Sequence, residues 1–314
     1  MPTPIDGPAP TLRKGTFGAG FFLSSFDPSH GFILSRSTDR EMETDVEVQD
    51  MNSYAHIIVT VSDQGVANIT LNRPDKRNAF NSEMIAELHA AFNALAQDRA
   101  VRFVIIRGEG KSFSAGADLD WMKAAASYSQ AENETDARAL AEMLRALYEM
   151  PQPTLALVHG AAMGGGAGLV AACDLGVAMK DTKFKFSEVR LGLTPATISP
   201  FVIEAIGARW AKALFVTAEG FDAPYAEKMG LIQYTVASED DLQMMADYLR
   251  DLVLGAAPGA VADSKQLVQD VAGQPIDKAL GEDTAKRIAA RRASDEGREG
   301  LSAFLEKRKP NWTV

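Results

Sequence analysis

Two segments in which a buried strand runs into a turn of small residues and then into a helix constrain the fold of this chain most. The apolar run PTLALVHG, ending at residue 160, leads into GAAMGGGAGLVAACD at 160–174, which carries five glycines. The apolar run VRFVIIRG is followed by KSFSAGADLDWM at 111–122, where a loop without bulky side chains leads to a helix that begins at Asp118. This repeated order of strand, turn and helix predicts an α/β fold.

The remaining patterned segments complete the predicted order of elements. HIIVTV and VANITL, joined by SDQG, alternate in polarity and predict a hairpin. SEMIAELHAAFNAL predicts an amphipathic helix that Ser82 caps. Its apolar face carries Met84, Ile85, Leu88, Phe92 and Leu95. We also predict a helix at 137–149, strands at LGVAM and KFKFSEV, and a nearly all-helical part after residue 198.

Composition excludes several classes of protein. No apolar run approaches the roughly 18 uncharged residues of a membrane helix, and the first residues lack the apolar segment of a signal peptide. We therefore expect a cytoplasmic protein with no membrane partner. The one cysteine, Cys173, excludes an intrachain disulfide, and four scattered histidines predict no metal site. A formal net charge of -10 argues against a nucleic-acid partner, so an anionic ligand would need a local basic cluster.

The glycine-rich turn at 160–174 allows three interpretations, of which two involve phosphate. The chain contains no GxxxxGK[ST] string, so a P-loop is excluded. GAGLVA at 166–171 fits the dinucleotide fingerprint GxGxxA, and Glu188 lies near the spacing of its ribose-binding acid. The predicted helix is too short to cross over before the strand LGVAM, however, so Glu188 would not end the second strand of a dinucleotide fold.

The third interpretation pairs the two turns of small residues. Each turn leaves backbone N–H groups free at the start of a helix, and two such groups can point at one oxygen. That arrangement is an oxyanion hole. Along the chain, the three segments LNRPDKRNAF, FSAGAD and AAMGGGAGLVAACD follow one another in the same order as in the crotonase (enoyl-CoA hydratase/isomerase) superfamily. The chain resembles this superfamily from about residue 56 to the C-terminus.

The resemblance implies a fold and an organisation of the chain. The fold is a spiral of ββα units with a helical C-terminal region that builds homotrimers or homohexamers. We accordingly predict a core at 51–245 and a helical oligomerisation region at 246–314. Residues 1–50 show no sustained period and are predicted to be a disordered or loosely attached extension, with Met51 as an alternative start.

The resemblance also implies site residues and an acyl-CoA substrate, with coenzyme A as part of the substrate and no separate cofactor. The backbone amides of Ala117 and Gly165 would hold the thioester oxygen. The resemblance places Trp121 and Gly168 beside the acyl group. Residues implied to contact the coenzyme A part are Arg73, Lys76, Arg77, Ala79, Ala115, Asp118, Leu119, Phe304 and Lys307.

One departure from the family pattern bears on the reaction. Hydratases of the superfamily typically carry two glutamates, but here Gly168 stands at the first position and only Glu188 remains. The following segment EVRLGLTPATISPFVIEAIGAR is similar to bacterial methylglutaconyl-CoA and isohexenylglutaconyl-CoA hydratases, whose substrates carry a second carboxylate. If the strand continues past Glu188, Arg190 lies on the same face and is a candidate to meet that carboxylate.

The sequence leaves several functions open, including other chemistries of the superfamily such as decarboxylation and thioester hydrolysis, and three of them are weighed here. The resemblance favours an enoyl-CoA hydratase that acts on 3-methylglutaconyl-CoA or a related branched dicarboxylic enoyl-CoA. A single glutamate also suits a Δ3-Δ2-enoyl-CoA isomerase, which moves one proton. A non-catalytic acyl-CoA-binding or RNA-binding scaffold is the alternative from another class.

Overall fold

The computed structural model describes residues 49–50 and 54–313. The predicted extension at 1–50 lies outside the described residues except for its last two, which form a short strand, and the alternative start Met51 also lies outside them. Within the described residues, no helix is long and apolar enough to cross a membrane.

The described residues form two β-sheets. Seven strands make the larger sheet, in the spatial order β1-β2-β3-β4-β5-β7-β10, and three make the smaller one, in the order β6-β8-β9. The strands are β1 (Gln49–Asp50), β2 (Ile57–Val61), β3 (Val66–Leu71), β4 (Phe103–Gly108), β5 (Thr154–Val158), β6 (Ala161–Met163), β7 (Leu175–Met179), β8 (Lys183–Lys185), β9 (Gly220–Asp222) and β10 (Tyr234–Val236).

Ten α-helices are seen in the described residues, together with two short 3₁₀ helices at Pro74–Lys76 and Glu188–Leu191. The α-helices are α1 (Ser82–Gln97), α2 (Leu119–Ala125), α3 (Gln130–Tyr148), α4 (Gly165–Ala172), α5 (Ser199–Thr217), α6 (Ala223–Met229), α7 (Glu239–Leu254), α8 (Pro258–Val271), α9 (Lys278–Ala293) and α10 (Asp295–Glu306). The part after residue 198 is nearly all helical, as predicted, and it also contains the two short strands β9 and β10.

The centre of the large sheet follows from the apolar runs. β2 and β3 form the predicted antiparallel hairpin, and β3, β4, β5, β7 and β10 are joined by parallel pairing. Every residue of β5 is buried, as expected for a parallel strand covered on both faces. The larger hydrophobic core lies on one face of the sheet, and a second core containing Phe103 and Leu155 lies on the other.

Helix α1 confirms the predicted apolar face, but its cap differs from the prediction. Met84, Ile85, Leu88, Phe92 and Leu95 are all buried. Asn81, not Ser82, is the N-cap, and its side chain accepts a hydrogen bond from Met84 N at 3.0 Å. Asn and Ser are both good caps, so only the backbone conformation of residue 81, which is extended, distinguishes the two candidates.

The predicted boundary between residues 245 and 246 falls inside helix α7. This helix packs on the large sheet, and Leu242, Met245 and Leu249 belong to the second core. Because the same helix face contributes residues before and after the boundary, α7 belongs to the sheet layer. The C-terminal helical region therefore begins at α8.

A layer of short backbone ladders lies beside the large sheet and determines the geometry of the candidate site. Bridges Phe80↔Ala117 and Ser114↔Ala162 are followed by the parallel pairing of β6 with β8 and the antiparallel pairing of β8 with β9. The strands β3, β4, β5 and β7 of the large sheet are thus each followed by a short segment of this second layer, as predicted for successive ββα units.

Candidate active site

The first turn of small residues presents the backbone amide of Ala117. Phe80 N donates to Gly116 O at 2.6 Å, and Asp118 N donates to Phe80 O at 2.8 Å. Successive peptide groups of an extended segment point to opposite sides, so the N–H of Ala117 points away from Phe80. It has no acceptor among the described residues, which is uncommon for an ordered amide unless water or a ligand meets it.

The second turn presents the amide of Gly165 at the start of α4. Gly164 precedes the helix with φ +48° and ψ −117°, and its N–H donates to Lys185 O at 2.8 Å. As the first residue of the helix, Gly165 has no acceptor within it, and the helix dipole favours negative charge there. A Cβ on Gly165 would stand 3.1 Å from the Phe80 ring, so a side chain would fit tightly.

Backbone contacts hold the two turns together. Ser114 N donates to Ala161 O and Met163 N donates to Ser114 O, both at 3.0 Å. Gly116 has φ +87°, and a Cβ on it would stand only 2.7 Å from Met163 O. A residue without a side chain is therefore required where the turn that carries Ala117 meets the turn that leads to Gly165.

The carboxyl group of Glu188 lies beside these turns. Its Oε1 is 3.1 Å from the point where a Cβ on Gly164 would stand, and its buried Oε2 has no hydrogen-bond partner. Burial raises the pKa of Glu188 above its ordinary value of 4.5, and a hydrogen bond from its own backbone lowers it by less. A partly desolvated carboxylate next to free amides can accept and return a proton while they stabilise a negative oxygen.

The position of the missing second glutamate is filled by an apolar side chain. Gly168 is buried in α4, and a Cβ on it would stand 2.2 Å from Ile198 Cγ2. Ile198 is itself 2% exposed and lies just before α5. The sequence shows that Gly168 lacks a carboxylate, but it does not show that Ile198 occupies the space. Of the two positions where hydratases of the family typically carry glutamates, only that of Glu188 holds a carboxylate here, and Ile198 is a residue that sequence reasoning missed.

The comparisons with known proteins agree with this geometry. A family model described as enoyl-CoA hydratase/isomerase matches residues 62–314. The chain belongs to this family. It is 32% identical over 262 residues to the crotonyl-CoA hydratase of Syntrophomonas wolfei, a match that covers 83% of this chain and 98% of that protein.

Solved structures confirm the fold. A crystal structure of an enoyl-CoA hydratase from Shewanella pealeana is similar with a TM-score of 0.80 and 39% identity, covering 82% of this chain and 96% of that one. A Legionella pneumophila structure, whose name places it with enoyl-CoA hydratase/isomerase (crotonase), has a TM-score of 0.79 and 44% identity, covering 83% and 100%. The predicted crotonase-like α/β fold is thus confirmed.

The structure changes the interpretation of Arg73 and Asp118, which the family resemblance assigned to coenzyme A. Arg73 Nη2 and Asp118 Oδ2 form an ion pair at 2.9 Å, with both side chains largely buried. Arg73 Nη1 donates to Ala79 O. Both terminal nitrogens of the guanidinium therefore have partners within the chain, and contact of Arg73 and Asp118 with coenzyme A stays a prediction.

Lys76 and Arg77 remain exposed cations on the loop after β3. Lys76 pairs with Asp120 at 3.2 Å on the surface. Arg77 has left-handed backbone with φ 52°, and its side chain has no partner among the described residues. Ala115 N donates to Arg77 O at 2.9 Å, which joins this loop to the first turn of small residues. Of the three cations on this loop, Arg77 is therefore the one whose side chain has no partner among the described residues.

Buried Asn78 connects the same loops, and sequence reasoning did not identify it. Its side-chain Nδ2 donates to Glu109 O at 2.9 Å and to Ser112 O at 2.8 Å. Its backbone carbonyl accepts a hydrogen bond from Ser114 Oγ. The sequence feature that could have identified it is an Asn placed directly between the cations Lys76 and Arg77 and the buried Ala79. Asn tolerates the left-handed conformation observed here, with φ 54°.

Helix α2 carries Leu119 and Trp121, which the resemblance placed at coenzyme A and at the acyl group. Leu119 is exposed, whereas Trp121 packs against the main core and donates from Nε1 to Asp136 Oδ1 at 3.0 Å. This bond joins α2 to α3. Trp121 lies in the first turn of α2, so the helix that follows the Ala117 amide is anchored both to α3 and to the main core.

The predicted role of Arg190 rested on a strand that does not continue. β8 ends at Lys185, and Glu188–Leu191 form a 3₁₀ helix in which positions two apart do not share a face. The exposed Arg190 side chain instead donates from Nη2 to Thr217 O at 3.0 Å. We correct the prediction that Arg190 lies on the same face as Glu188.

Phe304 and Lys307 lie at the end of α10. The Phe304 side chain is 80% exposed, and Lys307 is the left-handed C-cap of the helix. Neither side chain has a hydrogen bond or ion pair to the described residues.

Among the described residues, no group of three or more His, Cys, Asp and Glu side chains is arranged to hold a metal ion.

Proposed function

We propose that the chain is an enoyl-CoA hydratase that adds water to a 2-enoyl-CoA thioester. The observation that carries this proposal is the buried, unpartnered Oε2 of Glu188 in a carboxyl group packed against Gly164. The next residue, Gly165, and Ala117 on the adjoining turn have free amides. The name of the similar Syntrophomonas wolfei protein, a crotonyl-CoA hydratase, supports the same reaction.

The mechanism needs one carboxylate used twice. Glu188 accepts a proton from water while the water oxygen forms a bond to C3 of the substrate. The π electrons of the C2=C3 bond form a C1=C2 double bond, and those of the carbonyl move to the thioester oxygen, where the amides of Ala117 and Gly165 stabilise the enolate. Glu188 then returns the proton to C2 as the carbonyl reforms, so water is added and nothing else is consumed.

Coenzyme A would bind as part of the substrate, with no separate cofactor. The protein has a formal net charge of -10, so the phosphates of coenzyme A need local cations to bind it. Arg77 and Lys76 supply them on the loop that also carries Ala79 and is bonded to Ala115.

Within this class, we propose 3-methylglutaconyl-CoA or a related branched dicarboxylic enoyl-CoA as the substrate. The support is the resemblance of the segment from Glu188 to residue 209 to such hydratases. Comparing kcat/KM for crotonyl-CoA and 3-methylglutaconyl-CoA tests it, and a preference for crotonyl-CoA would contradict it.

A Δ3-Δ2-enoyl-CoA isomerase is the second candidate, and Ile198 is the observation that favours it. Ile198 fills the space beside Gly168 that a second carboxylate would use to hold water. If the protein moves the double bond of a 3-enoyl-CoA but adds no water to a 2-enoyl-CoA, the isomerase replaces the hydratase.

We further propose a homotrimer or homohexamer. Leu301, Phe304 and Leu305 form an exposed apolar face on α10, at the spacing of one helix side. Light scattering after gel filtration measures the assembly, and a Phe304→Ser variant should weaken it. A monomeric parent protein would contradict this proposal. The cytoplasmic location stays a prediction.

The decisive experiment uses Glu188→Gln, which keeps the shape of the side chain and removes the base. Turnover of the best 2-enoyl-CoA, followed at the enoyl thioester absorbance, should fall by about 10² to 10⁴, while binding of a saturated acyl-CoA is kept. Glu227→Gln, an exposed glutamate on α6, is the matched control and should hydrate at the parental rate. Near-parental turnover in Glu188→Gln would show that another group is the base.

A further inference from the structure

We propose that Arg73 and Asp118 are positioning residues that fix the orientation of the Ala117 amide, which in turn holds the thioester oxygen. The inference rests on the proposed function, because it gives the ion pair a role in the oxyanion hole rather than in coenzyme A binding.

The pair joins the two segments that form the Phe80↔Ala117 bridge. Asp118 directly follows Ala117, and its own N–H donates to Phe80 O at 2.8 Å. Arg73 reaches Asp118 Oδ2 with Nη2 and Ala79 O with Nη1. One guanidinium thus connects the residue before Phe80 with the residue after Ala117.

The second oxygen of Asp118 is also committed. Oδ1 accepts from Asp120 N at 2.7 Å and from Trp121 N at 3.4 Å, as the N-cap of α2. Burial raises the pKa of the Asp118 carboxyl, but the hydrogen bonds from Asp120 N, Arg73 and Trp121 N, together with the positive charge of Arg73, outweigh burial and hold it below its usual range. The side chain is therefore an anion with both oxygens bonded.

This arrangement leaves the peptide group before Asp118 little freedom to rotate. The carboxylate is held on one side by the guanidinium and on the other by the first turn of α2, while the Asp118 amide is held by Phe80 O. The Ala117 N–H belongs to the preceding Gly116–Ala117 peptide, whose carbonyl accepts a hydrogen bond from Phe80 N at 2.6 Å. Rotation of this N–H would therefore break the Phe80↔Ala117 bridge, whose two segments the Arg73–Asp118 pair holds together. An oxyanion donor that is fixed before the reaction needs no reorganisation when charge develops.

The chain offers a matched control in a second shielded ion pair. Lys265 Nζ and Asp174 Oδ2 are 2.8 Å apart, with side chains 10% and 30% exposed, compared with 13% and 5% for Arg73 and Asp118. Lys265 lies on α8 and also donates to Gln152 O. Breaking this pair should disturb stability without disturbing the Ala117 amide.

The test compares Arg73→Met, the double variant Arg73→Met/Asp118→Asn, and the control Lys265→Met. Cinnamoyl-CoA is the probe, because hydrogen bonds to its thioester oxygen polarise the conjugated system and shift its absorbance to longer wavelength when it binds. The Tm of each variant is measured alongside kcat and KM. The double variant leaves no unpaired buried charge, so it should recover much of the Tm that Arg73→Met loses.

We expect Arg73→Met and the double variant to lose most of the absorbance shift and about 10²-fold in kcat, the cost typical of a reacting group misplaced by about 1 Å, with KM little changed. Lys265→Met should keep both the shift and kcat at a lowered Tm. A double variant with restored Tm, full shift and full kcat would overturn the positioning role, as would an equal loss of shift in Lys265→Met. If the parent protein neither shifts cinnamoyl-CoA nor turns over an enoyl-CoA, the proposed function itself fails, and this inference fails with it.

Discussion

Gly168 lies in the interior of α4, where alanine would ordinarily stabilise a helix, yet we expect Gly168→Ala to destabilise this protein. A Cβ on Gly168 would stand 2.2 Å from Ile198 Cγ2 and 2.7 Å from Ile198 Cβ. Carbon atoms in contact are normally about 3.5 to 4.0 Å apart. The added methyl group therefore overlaps a buried side chain by more than an ångström.

The expected size follows from two opposing effects. Overpacking of a well-packed core costs about 1 to 3 kcal/mol, and the short distances place this site near the upper end. Replacing glycine by alanine in a helix interior recovers about 1 kcal/mol. The free energy of unfolding should therefore fall by about 2 kcal/mol, the difference between the two.

Two substitutions of Ile198 separate the overlap from other causes. Ile198→Val removes only Cδ1, which is 3.7 Å from the added Cβ, and leaves both overlapping atoms in place. Ile198→Ala removes Cγ2, the nearest atom, and costs about 2 to 5 kcal/mol by itself. Adding Gly168→Ala should cost about 2 kcal/mol in the valine background and clearly less in the alanine background, as expected for contacting residues.

The assay is urea unfolding of the six combinations, followed by circular dichroism. Midpoints and slopes give the free energy of unfolding. The coupling between Gly168→Ala and Ile198→Ala is the difference between the cost of Gly168→Ala with isoleucine at position 198 and its cost with alanine there. Equal costs of Gly168→Ala in all three Ile198 backgrounds, or a stabilised Gly168→Ala, would refute the conclusion that Ile198 fills this space.

Three further predictions concern the site and its loops. Arg77→Ala should raise KM with little change in kcat, and high salt should reduce the difference in KM between this variant and the parent protein. The control Lys123→Ala should not alter KM. Initial rates at two ionic strengths test this, and an unchanged KM in Arg77→Ala would exclude Arg77 from the substrate-binding residues. Asn78→Ala should lower the free energy of unfolding by about 1 to 3 kcal/mol, because it leaves buried carbonyls without donors; the exposed Asn93→Ala is the control, and equal effects of both in urea unfolding would contradict the prediction. Burial raises the pKa of Glu188 in the folded protein, so between the unfolded value and the raised one the folded state binds more protons, and the free energy of unfolding should fall as pH rises through that window. Over the same window kcat/KM should rise, and both trends should be absent in Glu188→Gln; a parallel pH dependence in this variant would assign them to another group.

Much of the fold could be predicted from the sequence because its apolar patterns are strong. The continuous apolar runs of β4 and β5 indicated buried strands, and the spacing in α1 indicated its buried face. The two turns of small residues also indicated where free amides occur. These features depend on local sequence, so no knowledge of the distant chain was needed.

The errors concern side chains whose partners lie far away in sequence. Arg73 looked like a free cation, but its partner Asp118 belongs to a different loop. Arg190 was placed on a strand, but the backbone turns into a 3₁₀ helix after β8. Ile198 gave no signal at all, because an apolar residue before a helix is ordinary until Gly168 is seen beside it.

The register of β6 on β8 is the step that turns these separate segments into one site. Met163 pairs with Lys185, and Gly164 N donates to Lys185 O, so the residues that follow each strand, Gly165 and Glu188, leave the ladder at the same end. A shift of one residue would turn every side chain to the other face and would separate the carboxylate from the turn. Two of the three groups in the proposed mechanism are backbone amides, which need only small residues around them. The third is the carboxyl group of Glu188, and the unpartnered state of its Oε2 is the feature that packing alone does not explain.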